Sequence, residues 1–105
     1  MTSHVREVEG SVIYGDHSVN VVFYVYDEAY VNVLERIIKT SRTFSDLLSS
    51  LLIHGFDLIE LPPICTVNDN VHIIDLMYYI VHGSKTIAGM RVVVTGGREV
   101  LRLVR

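Results

Sequence analysis

Apolar and polar positions alternate along residues 5–14, V-R-E-V-E-G-S-V-I-Y, and again along 19–26, V-N-V-V-F-Y-V-Y, with the turn formers G-D-H-S between them. Period-two alternation on both sides of such a cluster predicts a β-hairpin. In the second run Val19, Val21, Phe23 and Val25 fall on one face and Val22, Tyr24 and Tyr26 on the other, so both faces need cover. A strand of that kind belongs in the middle of a sheet, with helices on one side and further protein or a partner subunit on the other.

Asp27 follows where an N-cap would accept a hydrogen bond from the free amides of a first helical turn, and Glu28 suits the positive end of the helix dipole. Tyr30, Val33, Leu34, Ile37 and Ile38 then recur at the spacing of one helical face, which predicts a helix over about 28–40. A second helix is expected over 69–83, D-N-V-H-I-I-D-L-M-Y-Y-I-V-H-G, with Asn68 or Asp69 as cap and Gly83 at its C-terminal end. After it come a strand at 90–95, a Gly96-Gly97 turn and a final extended run at 99–104.

The stretch L-L-S-S-L-L-I-H-G-F-D-L-I-E-L, residues 47–61, is apolar at every period and admits two readings. As a helix it completes a strand, helix, tight turn, helix order, the layout of a ribbon-helix-helix DNA-binding regulator. Such proteins lay a two-stranded ribbon in the major groove, so the strand must project polar or basic side chains. Here only Asn20 could read a base, and no Lys or Arg lies in 19–35. As a strand, Leu48, Ser50, Leu52 and His54 share one face and Leu47, Ser49, Leu51 and Ile53 the other. With a further extended stretch at 58–67, the chain then reads β-α-β-β-α-β. The fold expected is therefore α+β, a ferredoxin-like βαββαβ sandwich of the ACT type. An N-terminal arm or hairpin strand (1–18) precedes the main domain (19–105), and a C-terminal extension follows.

From Val19 to about Glu99 the pattern resembles the C-terminal metal-sensing domain of the nickel-responsive regulators, a ferredoxin-like module that tetramerises. The resemblance lies in the strand ending Val25-Tyr26, the helix to Lys39, the D-L-L-S-S-L-L-I-H run at 46–54 and the tail I-A-G-M-R-V-V-V-T-G-G-R-E at 87–99. The DNA-binding half of those regulators has no counterpart. The resemblance implies a metal site whose histidine positions fall on Leu52 and His54, whose cysteine position falls on Glu60, and whose partner-subunit histidine falls near Ser41. His54 and Glu60 are thus the candidate ligands. A carboxylate in place of a thiolate argues against square-planar nickel and toward a harder or more labile divalent ion. A histidine inside an apolar run is nevertheless more often a hydrogen-bonded core or interface residue than a ligand.

Composition narrows the function classes. Half the residues are apolar and 20% are charged, with a mean hydropathy of +0.37, so the chain should fold as one domain with one core. The apolar runs are too short for a bilayer span of roughly 20 residues, and His4, Arg6, Glu7 and Glu9 leave no room for a signal peptide. A soluble cytoplasmic protein is expected, and the absence of glutamine hints at a thermophile. A formal charge of −3 gives no overall footprint for nucleic acid, leaving a local basic patch near Arg91, Arg98, Arg102 and Arg105.

Cys65 is the single cysteine and reads as a small buried hydrophobe. His72 and His82, placed on the second helix, would point about 100° apart and be solvated, and His4 and His17 would be exposed. Tyr24, Tyr26, Tyr30, Tyr78 and Tyr79 could build an aromatic interface. Asp16-His17-Ser18 holds the residue types of a hydrolytic triad, but three adjacent turn residues cannot stack in a relay. The expectation is a non-enzymatic regulatory or ligand-sensing domain, a homo-dimer or tetramer with room for a protein partner. The alternatives are a ribbon-helix-helix regulator and a purely structural oligomer.

Overall fold

A computed structural model describes residues 5–104. The chain opens on the expected hairpin: β1 (Arg6–Tyr14) pairs antiparallel with β2 (His17–Val25) along its whole length. Gly15 supplies the positive φ of 64° that the two-residue turn requires. Asp27 accepts from the Ala29 amide and caps a 3-10 turn, Glu28–Tyr30, that runs into α1 (Val31–Thr40). Val31, Leu34, Ile37 and Ile38 bury the inner face of α1. This helix lies close against β1 because Gly10 offers no side chain, since a Cβ there would run into Ile38.

Residues 44–53 form a helix, α2 (Phe44–Ile53), which corrects the expectation of a strand at 47–54. The cause lies just upstream. Thr43 accepts from the Asp46 amide at 3.0 Å while the Asp46 carboxylate accepts from the Thr43 amide at 3.2 Å. That reciprocal capping box satisfies two free donors of the first turn and nucleates the helix. Its apolar stripe then buries Phe44, Leu47 and Leu51 and leaves Leu52 and Ile53 in water.

Four strands follow: β3 (Phe56–Glu60), β4 (Ile64–Asn68), β5 (Val71–His82) and β6 (Lys85–Gly96). The helix expected over 69–83 is therefore a strand. Asp69 and Asn70 both take positive φ (49° and 68°), so they form the turn of a β4–β5 hairpin and not a helix cap. Val71, Ile73, Ile74, Ile80 and Val81 are β-branched, and with Tyr78 and Tyr79 they suit a pleated surface better than a helix. Gly83, with φ 67°, turns β5 into β6. The expected final extended run is also corrected: Arg98–Val104 is a 3-10 helix that buries Val100.

The α+β class holds, but the order is ββααββββ where βαββαβ was expected. The strands make one antiparallel sheet in the order β1-β2-β6-β5-β3, with β4 following β3 along the same edge of β5. Pro62 and Pro63 fall in the gap between β3 and β4, an edge position that tolerates residues without an amide donor. The hairpin strand β1 is a full member of this sheet and carries α1. Both helices pack on one face. There Val12, Val21, Phe23, Ile74, Ile80 and Met90, each almost wholly buried, form the core with Leu34, Ile37, Leu47 and Leu51 from above.

Candidate functional site

The two predicted metal ligands are not brought together. His54 ends α2, exposed, with its Nδ1 at 2.8 Å from the Ser50 carbonyl. Glu60 ends β3 opposite Tyr78, whose ring approaches Phe44 at the other end of α2. The pair is therefore separated by about the length of a ten-residue helix, roughly 15 Å. Glu60 faces two phenols instead: burial first, then its charge, pushes Tyr78 up to about 12, and the same causes in the same order raise Tyr14. Among the described residues no three His, Cys, Asp or Glu side chains gather closely enough to hold an ion.

The other candidates also land elsewhere than expected. His82 is held between Tyr30 and Phe56, its Nδ1 2.9 Å from the Tyr30 hydroxyl, at the end of β5. His72 sits at the opposite end of β5 with a buried Nδ1 that has no partner among the described residues. His17 is partly covered and lies 3.3 Å from Asp16. Cys65, expected in the core, is exposed on the edge strand β4. His4 and Arg105 lie outside the described residues. Arg91 does not join Arg98 and Arg102 in a basic patch, because it projects from β6 and pairs with Asp75.

What the fold does assemble is the second face of the sheet, opposite α1 and α2. Strand register builds it row by row. Tyr24, Gly89, Tyr79 and Ile59 lie across β2, β6, β5 and β3; Val22, Arg91 and Met77 make the next row; Asn20, Val93, Asp75 and Ile64 the one after. These side chains alternate with the buried core set along every strand, so the same pleat that packs the core turns them outward. Among the described residues no helix or strand covers them. Ile59 is 51% exposed, Ile64 57% and Tyr79 41%, in a contiguous apolar surface with Val22, Met77 and Val93 partly open between them. Tyr26 closes over Gly89, where an added Cβ would lie 3.0 Å from its hydroxyl. The outer rim is polar and acidic, with Glu7 and Glu9 on β1 and Asp57 on β3.

One charged pair stands in the middle. Arg91 Nε and Nη2 each lie 2.6 Å from Asp75 Oδ1. The hydrogen bond to Asp75 first, then the neighbouring Tyr24 hydroxyl, raises the guanidinium pKa. Only 17% of the Asp75 side chain is exposed, against 41% of Arg91. On β2, β5 and β6 these are the two charges of this face. In the sequence Arg91 stood out only as part of a basic patch, and Asp75 not at all. Their signal was one carboxylate and one cation, each alone in a long apolar run, but it points to a shared face only once both runs are strands.

Compared with known proteins, the chain matches no family model, no curated protein and no solved structure. No helix among the described residues is long and apolar enough to cross a membrane.

Proposed function

We propose that this protein is a non-enzymatic, self-associating regulatory module that works by docking a second copy on the open face of its sheet. The observation that carries the reading is the apolar surface formed by Val22, Met77, Tyr79, Val93 and Ile59 on a sheet whose other face carries both helices. An apolar area of this extent, rimmed by polar residues, is the ordinary signature of an interaction site. Its size fits a stable dimer. Twelve-residue strands β5 and β6 at about 3.3 Å per residue, in a sheet five strands wide at about 4.8 Å spacing, outline on the order of 800 Å² once the shorter outer strands are allowed for. That figure takes in the whole face, polar rim included, and matches the share one partner gives to a standard interface, roughly 800 Å².

The central polar groups of the surface face each other, which suits docking of another surface better than enclosure of a small substrate. Regulation would then follow from a change of assembly. The strand, helix, helix order that would suit a DNA-binding ribbon is present in β2, α1 and α2, yet β2 is bonded to β1 on one edge and β6 on the other. It has no free edge to offer a second ribbon.

The test is a solution mass by sedimentation or light scattering at micromolar concentration. The expected mass is at least twice the 11.9 kDa of the chain. Tyr79→Glu, at an outward position of β5, should give monomers without loss of fold. A wild-type protein that stays monomeric across the accessible concentration range would refute the reading.

A further inference from the structure

Resting on that reading, we propose that Asp75 and Arg91 do more than neutralise each other: they form a four-membered charge cluster across the two-fold axis and set the register of the two copies. Three observations lead there. The pair sits inside the apolar surface and not on its rim, so any partner that covers the face must also cover it. Its hydrogen bonding is unfinished. Both guanidinium contacts converge on Oδ1, and Asp75 Oδ2 makes no hydrogen bond among the described residues. Arg91 has five N–H donors, of which the two contacts to Asp75 leave others open.

An apolar partner would strand those groups in a dry interface, at the cost of a buried unsatisfied donor and acceptor. A second copy would not. In a two-fold interface residue i meets residue j while j meets i, and a carboxylate beside a cation is the simplest self-complementary pair under that operation. With the axis passing between the two groups, the free oxygen of each Asp75 meets the Arg91 of the other copy. A slipped or rotated docking of the same apolar surfaces loses this match, so the cluster selects one arrangement among many of similar apolar area.

The experiment is a charge swap by mixing. Asp75→Arg carries two cations on the face and Arg91→Asp carries two carboxylates. Each variant alone should associate more weakly than wild type by on the order of 100-fold, because like charges then face each other across the axis. Equimolar mixing should restore a dimer containing one copy of each, read by native mass spectrometry. An ion pair confined to one chain cannot be restored by mixing, so a wild-type dimer with no rescue on mixing overturns the register while leaving face-to-face association standing. A monomeric wild type overturns both. Should either variant fail to fold by circular dichroism, Asp75→Asn and Arg91→Gln replace them. The wild-type dissociation constant should rise with salt and that of the neutral variants should be nearly flat; equal salt slopes overturn the proposal.

Discussion

Replacing Leu51 by alanine, and separately Ile53 by alanine, should have sharply different consequences. The two residues are two apart, and in a strand over 47–54 they would share a face and lose similar packing. In α2 they lie about 200° apart around the helix axis. Leu51 is 0% exposed and Ile53 82%. Truncating a fully buried leucine costs its transfer free energy plus a cavity term, about 3 kcal/mol. A chain of this length has roughly 5–15 kcal/mol in total. At about 4 °C per kcal/mol, Leu51→Ala should lower Tm by on the order of 12 °C. Ile53→Ala removes little buried area and gains a few tenths of a kcal/mol of helix propensity, so its effect should stay within about 0.5 kcal/mol. Urea melts followed by circular dichroism, at one low protein concentration so that association contributes equally, would give both values. Similar losses for the two variants would refute the helix and with it the placement of the sheet's two faces.

Two further outcomes follow from the helix side of the sheet. Tyr78 has its folded pKa raised from 10.0 to about 12 by burial and then by Glu60, so the folded state holds that proton longer than the unfolded chain does. The stability this contributes is full below about 10 and is lost as pH climbs toward 12. Denaturant midpoints should fall across that window, and the fall should be smaller in Tyr78→Phe; a midpoint rising with pH would contradict the assigned burial. Because His54 caps α2 while Glu60 ends β3 beside Tyr78, zinc, manganese or nickel should leave Tm unchanged at ligand excess. A metal-dependent rise of several degrees that vanishes in His54→Ala would show that assembly builds a site one chain lacks.

The hairpin and α1 were legible because each has one clear period and one clear punctuation mark: G-D-H-S in the first case, Asp27 in the second. Residues 44–53 and 71–82 were not, for a common reason. Each is apolar at both the helical and the strand period. In the first, the apolar stripe of α2 is widened by Leu52 and Ile53, which the fold leaves in water. In the second, both faces of a central strand are apolar because one meets the helices and the other the open surface. Periodicity then fits helix and strand equally well, and local punctuation decides. Thr43 with Asp46 marked a helix start upstream of the ambiguous run, while Asp69-Asn70, residues that serve caps and turns alike, marked a hairpin. Asp75 and Arg91 were lost with that assignment. On a helix Asp75 has no fixed relation to Arg91, whereas on paired strands it lies diagonally across from it.

The edges of the sheet explain why association should run through its face. An antiparallel sheet with open edges can grow by strand pairing, and growth of that kind does not close. Here the end of β1 is clasped from outside: the Ile13 amide donates to the Arg42 carbonyl at 2.9 Å, and Ile13 bridges Thr43. The rest of that edge carries Arg6, Glu7 and Glu9, whose charges resist stacking of like strands. The opposite edge is broken between β3 and β4 by Pro62 and Pro63, which have no amide to give. With both edges blunted, the large unsatisfied surface left is the apolar face, and two copies that cover it on each other leave no face open for a third. Pro62→Ala with Pro63→Ala should therefore leave the dimer intact while raising its tendency to form larger aggregates on prolonged incubation. Loss of the dimer itself in that variant would mean that the β3–β4 edge, and not the face, is what the copies share.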